Sequence, residues 1–418
     1  MESIPGILTL AQGEVRSSGV RTGTCGSNLD VTPRRPTKKG IHMHRKLLVA
    51  GLAAAALVLA GCSSSDDTAT DTTSAEATTE AADEATEEAT EEATEEAAAA
   101  TMDDSNCAAP ENYCVGLVTD LGKVDDKSFN QAAFEGATLA ASELGAFLKY
   151  VESTDPKDYT ANIGQFVDKE YDTIVTVGFL MAEASALAAT ENPNINFVGV
   201  DQFQGETLPN LTGLIFAEDQ AGYAAGYLAG LMTETNKVGA VLGTDTVPPV
   251  LYFGEGYRNG VMAANPEAEV TVVYHEPANA FTDPEWGAAE AKKQVTQGAD
   301  VVFGAGGGTG NGALIEIAKS PESGTSVFCI GVDIDQYFTV PQAQSCLLTS
   351  AEKKLVAGTS ALVLASFDGS FPGGNFVGAT GLAPYHDTED AVPAEVKAEV
   401  EGVIAALLDG SLDTGVVK

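Results

Sequence analysis

Positive charge is what this 418-residue chain has least of: 22 Lys and Arg stand against 60 Asp and Glu, a formal net charge of -38. A nucleic-acid-binding surface needs a basic face to displace the counterions of phosphates, so that class is excluded. Histidine is nearly as scarce, with four residues, of which only His275 and His386 lie beyond the N-terminal 106. There is no G-x-S-x-G, no G-K-[ST] and no acidic cluster with recognisable metal spacing, so hydrolytic, phosphate-cradling and metal chemistry are poorly supplied. No residue pattern calls for a cofactor. The apolar run at 47–59 is too short to span a membrane, which takes ~20 residues.

That run has a different use. It follows Met43-His-Arg-Lys and ends Leu59-Ala-Gly-Cys62. A basic start, a short apolar stretch and small residues at a cut site make an export signal over 43–61. The Leu-Ala-Gly-Cys ending resembles a bacterial lipobox, which implies cleavage before Cys62 and lipid attachment to its thiol. Residues 1–42 carry no apolar periodicity and are read as a mis-assigned extension ahead of the true start at Met43. Four cysteines remain, Cys107, Cys114, Cys329 and Cys346. In an exported protein an even number suggests two disulfides, with Cys107–Cys114 and Cys329–Cys346 the sequence-local choice among three pairings.

Residues 63–106 hold 15 acids, no base and the repeated unit Glu-Ala-Thr-Glu-Glu, with no large apolar residue before Met102. Such a tract has nothing to bury and is expected to be a disordered, self-repelling tether from Cys62 to about residue 106. Residues 107–418 keep 42 acids against 14 bases, a charge balance that bears on solubility and partners rather than on fold.

From Tyr113 onward short Val/Ile-rich runs alternate with amphipathic stretches. Strands are predicted at 114–119, 173–177, 196–200, 211–215, 237–242, 270–274, 301–303 and 328–332. Helices are predicted at 129–144, 163–169, 182–190, 219–232, 251–264, 284–297 and 312–319. The alternation indicates an α/β architecture with parallel sheets. About three hundred residues suit two lobes joined by a hinge: a first at about 107–218, a second at about 236–332, and a C-terminal segment shared between them.

Ligands of open α/β sheets sit beyond the carboxyl ends of the strands. Those positions carry Asp120, then Phe129 and Asn130; Phe303 followed by the glycine run 304–312; and Asp333-Ile-Asp335-Gln336. Aromatic platforms, acids and an amide together suit a flat polar ring with an attached sugar. Each residue also has a plain structural use: Asp120 and Asn130 could cap the helix, Phe129 and Phe303 could be core, and Asp125-Asp126 reads as a solvated loop pair.

The motifs are more specific than the positions. Val118-Thr-Asp-Leu-Gly, Asp125-Asp-Lys-Ser-Phe-Asn-Gln, Phe197-Val-Gly-Val-Asp201, Gly307-Gly-Thr-Gly-Asn-Gly and Gly331-Val-Asp-Ile-Asp-Gln resemble the signatures of the basic membrane lipoprotein family. These are substrate-binding proteins that include purine-nucleoside receptors of ABC importers. The likeness spans roughly 114 to 380. It implies a type I periplasmic-binding-protein-like fold of two Rossmann-like lobes closing on a nucleoside and delivering it to a permease without transforming it; with the lipobox it places the protein, lipid-anchored, outside the bacterial cell membrane, and because a closing two-lobed receptor needs free lobes a monomer is expected. It further implies that Asp120 and Asn130 bond the base, that Phe129 and Phe303 sandwich it, and that Asp333 and Lys353, with Gly308, hold ribose hydroxyls. Lys354 lies one residue out of that register, and Asp201 and Phe281 are second-rank candidates. A receptor for another polar ligand such as a sugar, and an exported nucleoside hydrolase, are the alternatives.

Overall fold

The computed structural model describes residues 103–418. The expected signal at 43–61, the lipidated Cys62 and nearly all of the acidic tether lie outside the described residues. The tether's last residues depart from expectation: Asp104 is docked, its carboxylate 2.7 Å from Lys149 Nζ and 2.6 Å from Lys169 Nζ.

Two six-stranded sheets form two lobes. In the first, β1 (Cys114–Leu121), β2 (Phe147–Ser153), β3 (Thr173–Val177), β4 (Asn196–Val200), β5 (Leu211–Ile215) and β11 (Gly374–Val377) are ordered β2-β1-β3-β4-β5-β11, all parallel. Side chains alternate across a strand. Val115 and Leu117 of β1 therefore pack towards α1 (Phe129–Leu144) and α9 (Leu355–Asp368), while Cys114 and Val118 meet α2 (Tyr159–Val167) and α3 (Ala182–Glu191).

The second lobe orders its strands β7-β6-β8-β9-β10-β12: β6 (Lys237–Leu242), β7 (Glu269–Tyr274), β8 (Val301–Ala305), β9 (Phe328–Asp333), β10 (Leu347–Lys353) and an antiparallel β12 (Thr380–Leu382). One face is covered by α4 (Glu218–Met232), α5 (Pro248–Ala264) and α10 (Ala394–Leu408). The other carries α6 (Pro284–Thr296), α7 (Gly307–Ile317) and the short α8 (Gln336–Thr339). A Cβ on Gly226 would lie 2.0 Å from Tyr257 O, and one on Gly260 2.0 Å from Tyr223 O, so glycine is what lets α4 and α5 touch backbone to backbone.

The chain passes between lobes after β5, after β10 and after β11. The second lobe thus starts at α4 and takes in β10, wider than the expected 236–332. Of the C-terminal segment, α9 and β11 belong to the first lobe and β12 and α10 to the second. Cys107 is bonded to Cys114 and Cys329 to Cys346, their Cα atoms 5.6 and 5.1 Å apart.

Candidate ligand-binding site

The carboxyl ends of the two sheets face one another, and between them lies a cavity of about 570 Å³ counting its open mouth. Its polar wall is Asp120, Asp126, Asn130, Asp201, Asp333 and Lys353; its apolar wall includes Phe129, Phe179, Val250, Phe253 and Phe281.

Local sequence explains each polar position. Gly178, at φ +110°, follows β3, and a Cβ there would fall 1.9 Å from Asp120 Oδ2, so only glycine leaves the Asp120 carboxyl its place at the end of β1. Asp201 and Asp333 each follow Gly-Val at the end of equivalent strands of the two sheets, and both take left-handed backbone, φ 59° and 67°. Gln202 and Gln336 are fully buried beneath these turns, bonding to Thr176 O and to the Val332 N–H. The helix α1 is capped by neither Asp120 nor Asn130. Asp126 does it, accepting from the backbone N–H groups of Ser128, Asn130 and Gln131 at 2.9–3.1 Å, so it is not the solvated loop residue expected from sequence. That frees Ser128 Oγ to donate to Asp333 Oδ2 across the lobes at 2.7 Å.

Lys353 is the cation of the cavity. Its Nζ lies 2.5 Å from Asp201 Oδ2 and 3.7 Å from both Asp333 Oδ1 and Glu218 Oε1, and 4.7 Å above the Phe129 ring. An ammonium at that distance from a ring face is attracted by the ring quadrupole. Lys354 points away and pairs with Glu352 at the surface side of β10, so Lys353 alone of the two reaches the cavity.

Two expected residues are elsewhere. Phe303 is fully buried in the second-lobe core, stacked on Tyr257 at 5.2 Å and edge-on to Phe253 at 6.1 Å. The strand β8 runs two residues past the expected end at 303, so Phe303 sits inside the sheet and its ring belongs to the α4/α5 layer. Phe253 and Phe281 line the cavity with Phe129 instead. Gly308 is likewise one position beyond the lining glycines, Gly306 and Gly307. Sequence reasoning missed Phe253, because it lies on a helix rather than at a strand end, and Glu218, because nothing local marks the first residue of α4 as facing a lysine 135 positions away.

Burial pushes the Asp120 carboxyl well above the usual carboxylate range, with the charges of Asp126 and Asp201 adding to it. Burial also raises Asp126 to about 6, against the pull of three backbone N–H groups, and raises Asp201 despite Lys353. Glu218 is pushed up to about 8 from 4.5, again chiefly by burial. For Lys353 burial disfavours the charge, but Asp201, Asp333 and Glu218 more than offset it and the pKa rises. A carboxyl whose folded pKa exceeds its unfolded one binds more protons when folded, so stability falls as pH rises between the two values. Denaturation measured from pH 5 to 8.5 should therefore show falling stability, and Glu218→Gln should flatten that slope; an unchanged slope would remove Glu218 as its source.

Residues 114–379 match the family described as ABC transporter substrate-binding protein PnrA-like. The chain belongs to this family. It is 32% identical over 321 residues to a CD4+ T-cell-stimulating antigen of Listeria monocytogenes, covering 72% of this chain and 88% of that protein. It is 30% identical over 315 residues to an ABC transporter nucleoside-binding protein, BmpA, of Lactococcus lactis, covering 71% of this chain and 87% of that one. Among solved structures, an ABC transporter solute-binding protein of Aeropyrum pernix superposes with a TM-score of 0.65 at 24% identity, covering 72% of this chain and 92% of its own. One from Conexibacter woesei superposes with a TM-score of 0.56 at 26% identity, covering 72% and 98%. The fold is that of the type I periplasmic binding proteins, and the chain is a substrate-binding protein of the ABC transporter class, not an enzyme. Among the described residues no helix is long and apolar enough to cross a membrane.

Proposed function

We propose that the protein is an extracytoplasmic receptor, lipid-anchored at Cys62, that binds nucleosides, purines foremost, in the interlobe cavity and delivers them as a monomer to an ABC permease. The observation that carries the ligand assignment is the pairing of an aromatic slot with unmet buried acceptors. Phe129, Phe253 and Phe281 all line the cavity, and Asn130 Oδ1 and Asp201 Oδ1 are buried without hydrogen-bond partners among the described residues. A buried acceptor left unpaired costs ~1–3 kcal/mol, which a ligand N–H or O–H recovers. A base between the rings would reach Asp120 and Asn130, and its ribose would meet Asp201, Asp333 and Lys353. The nucleoside-binding name of the Lactococcus lactis relative supports the same class.

Contact with both lobes favours the closed arrangement over an open one, which is how binding becomes a signal a permease can read. Calorimetric titration with guanosine, adenosine, inosine, cytidine and ribose should give sub-micromolar binding of nucleosides, none or weak binding of ribose, and no released base. Phe129→Ala should weaken nucleosides by about 10- to 100-fold, since stacking on one ring is worth ~1–3 kcal/mol per base. Binding of ribose as tight as guanosine, unaffected by Phe129→Ala, would replace the nucleoside by a sugar.

A further inference from the structure

Three sequence motifs do more than line the cavity. The turn Asp126-Lys127 of the first lobe presents two backbone carbonyls to the second lobe, with Lys127 in left-handed backbone at φ 63°. Asn311 of α7 donates Nδ2 to Asp126 O at 2.7 Å. Gln336, opening α8, donates Nε2 to Lys127 O at 3.2 Å and to Asn311 Oδ1 at 2.8 Å. Thr339, closing α8, donates Oγ1 to the same Lys127 O at 2.8 Å. Gln336 is itself fixed, fully buried, by the Val332 N–H on its Oε1 and by Ser350 Oγ accepting from its backbone N–H.

We infer that Asn311, Gln336 and Thr339 form an interlobe latch: positioning residues that grip the Asp126-Lys127 turn, hold the lobes together through protein atoms alone, and thereby set Phe129 and Asn130 for the ligand. None of the three lines the cavity, so their bonds need no ligand atom. The gripped residue Asp126 is the one that caps α1 through the Ser128, Asn130 and Gln131 N–H groups. Closure and orientation of the binding helix are therefore one event. A latch of this kind lowers the free-energy cost of closing, so part of the ligand's interaction energy is not spent on bringing the lobes together. The carbonyls are ideal partners for it: a backbone acceptor stays present whatever residue occupies the position.

The inference rests on the chain being a receptor that opens and closes, but its test needs no ligand. In the ligand-free, full-length protein, deuterium uptake at segment 122–131 and at the facing wall 305–310 should rise roughly tenfold in rate in Thr339→Val and in Asn311→Ala, the change that about 1.4 kcal/mol produces. The strands β3 and β6, away from these segments, should be unchanged, and Thr339→Ser, which keeps the hydroxyl donor, should behave as the original. Uptake unchanged in both variants, or rising equally throughout both lobes, overturns the latch. A second arm reads guanosine release: both disrupting variants should release it faster with little change in association rate. If the original protein does not bind guanosine, the nucleoside assignment fails while the exchange result stands.

Discussion

Lys353→Met is expected to destabilise the protein by about 3–5 kcal/mol and to abolish measurable ligand binding. Removing one partner of a buried ion pair leaves the other charge uncompensated, and that is the order of the penalty. Here the loss is compounded, because the Lys353 and Asp201 side chains are only 3% and 6% exposed and Asp333 and Glu218 share the same ammonium. The lysine also ties the lobes: Asp201 belongs to the first sheet, Asp333 to the second, and Lys353 ends β10 where the chain crosses back. Denaturant unfolding should show the loss to be smaller at pH 5 than at pH 8. Burial has already raised Asp201 and Glu218, so protonation at low pH neutralises them more readily than ordinary carboxyls. A variant as stable as the original at pH 8 would mean that the carboxylates do not depend on Lys353.

Phe303→Ala separates core from cavity. The ring is fully buried against Tyr257 and Phe253, and truncating such a residue costs ~3–5 kcal/mol through lost burial and the void left behind. Below the unfolding transition, ligand affinity should stay within a few fold of the original, because the ring is not part of the cavity wall. Phe129→Ala should show the opposite pattern, with affinity lost and stability less affected. If Phe303→Ala instead lost affinity at unchanged stability, the residue would have to be returned to the binding surface.

Legibility in the sequence followed burial. The central strands β3, β4, β5 and β6 coincide with their predicted ranges, as does α1, because a strand covered on both faces is a short Val/Ile run. The elements not predicted each break that pattern. The strand β10 is buried at all seven positions but reads Leu-Leu-Thr-Ser-Ala-Glu-Lys, and its charges are tolerable because Lys353 meets Asp201, Glu218 and Asp333 while Glu352 meets Lys354. The edge strand β2 mixes exposed and half-buried residues, and β11 and β12 have four and three residues. Neither α9 nor α10 was foreseen, and the lobe that each joins is fixed by crossings that no local pattern encodes.

The site divides in the same way. The residues Asp120, Phe129, Asn130, Asp201 and Asp333 follow from motifs at or just after strand ends and Lys353 from the family resemblance, and the structure gathers them around one cavity. Strand-end position is a local property, so the sequence by itself determined the α/β class, the family and most of the polar wall, Asp126 excepted. Which aromatics join Phe129 on the cavity wall depended on how far β8 extends and on where α5 lies against it, and there the resemblance pointed to Phe303 where the structure has Phe253 and Phe281. The partners of Lys353 and the grip of Asn311, Gln336 and Thr339 on the opposite lobe were decided by tertiary structure alone. Each joins groups from different elements, up to 212 residues apart in the chain for Thr339 and Lys127. Their energies come from burial and distance, which exist only once the two sheets have been brought face to face.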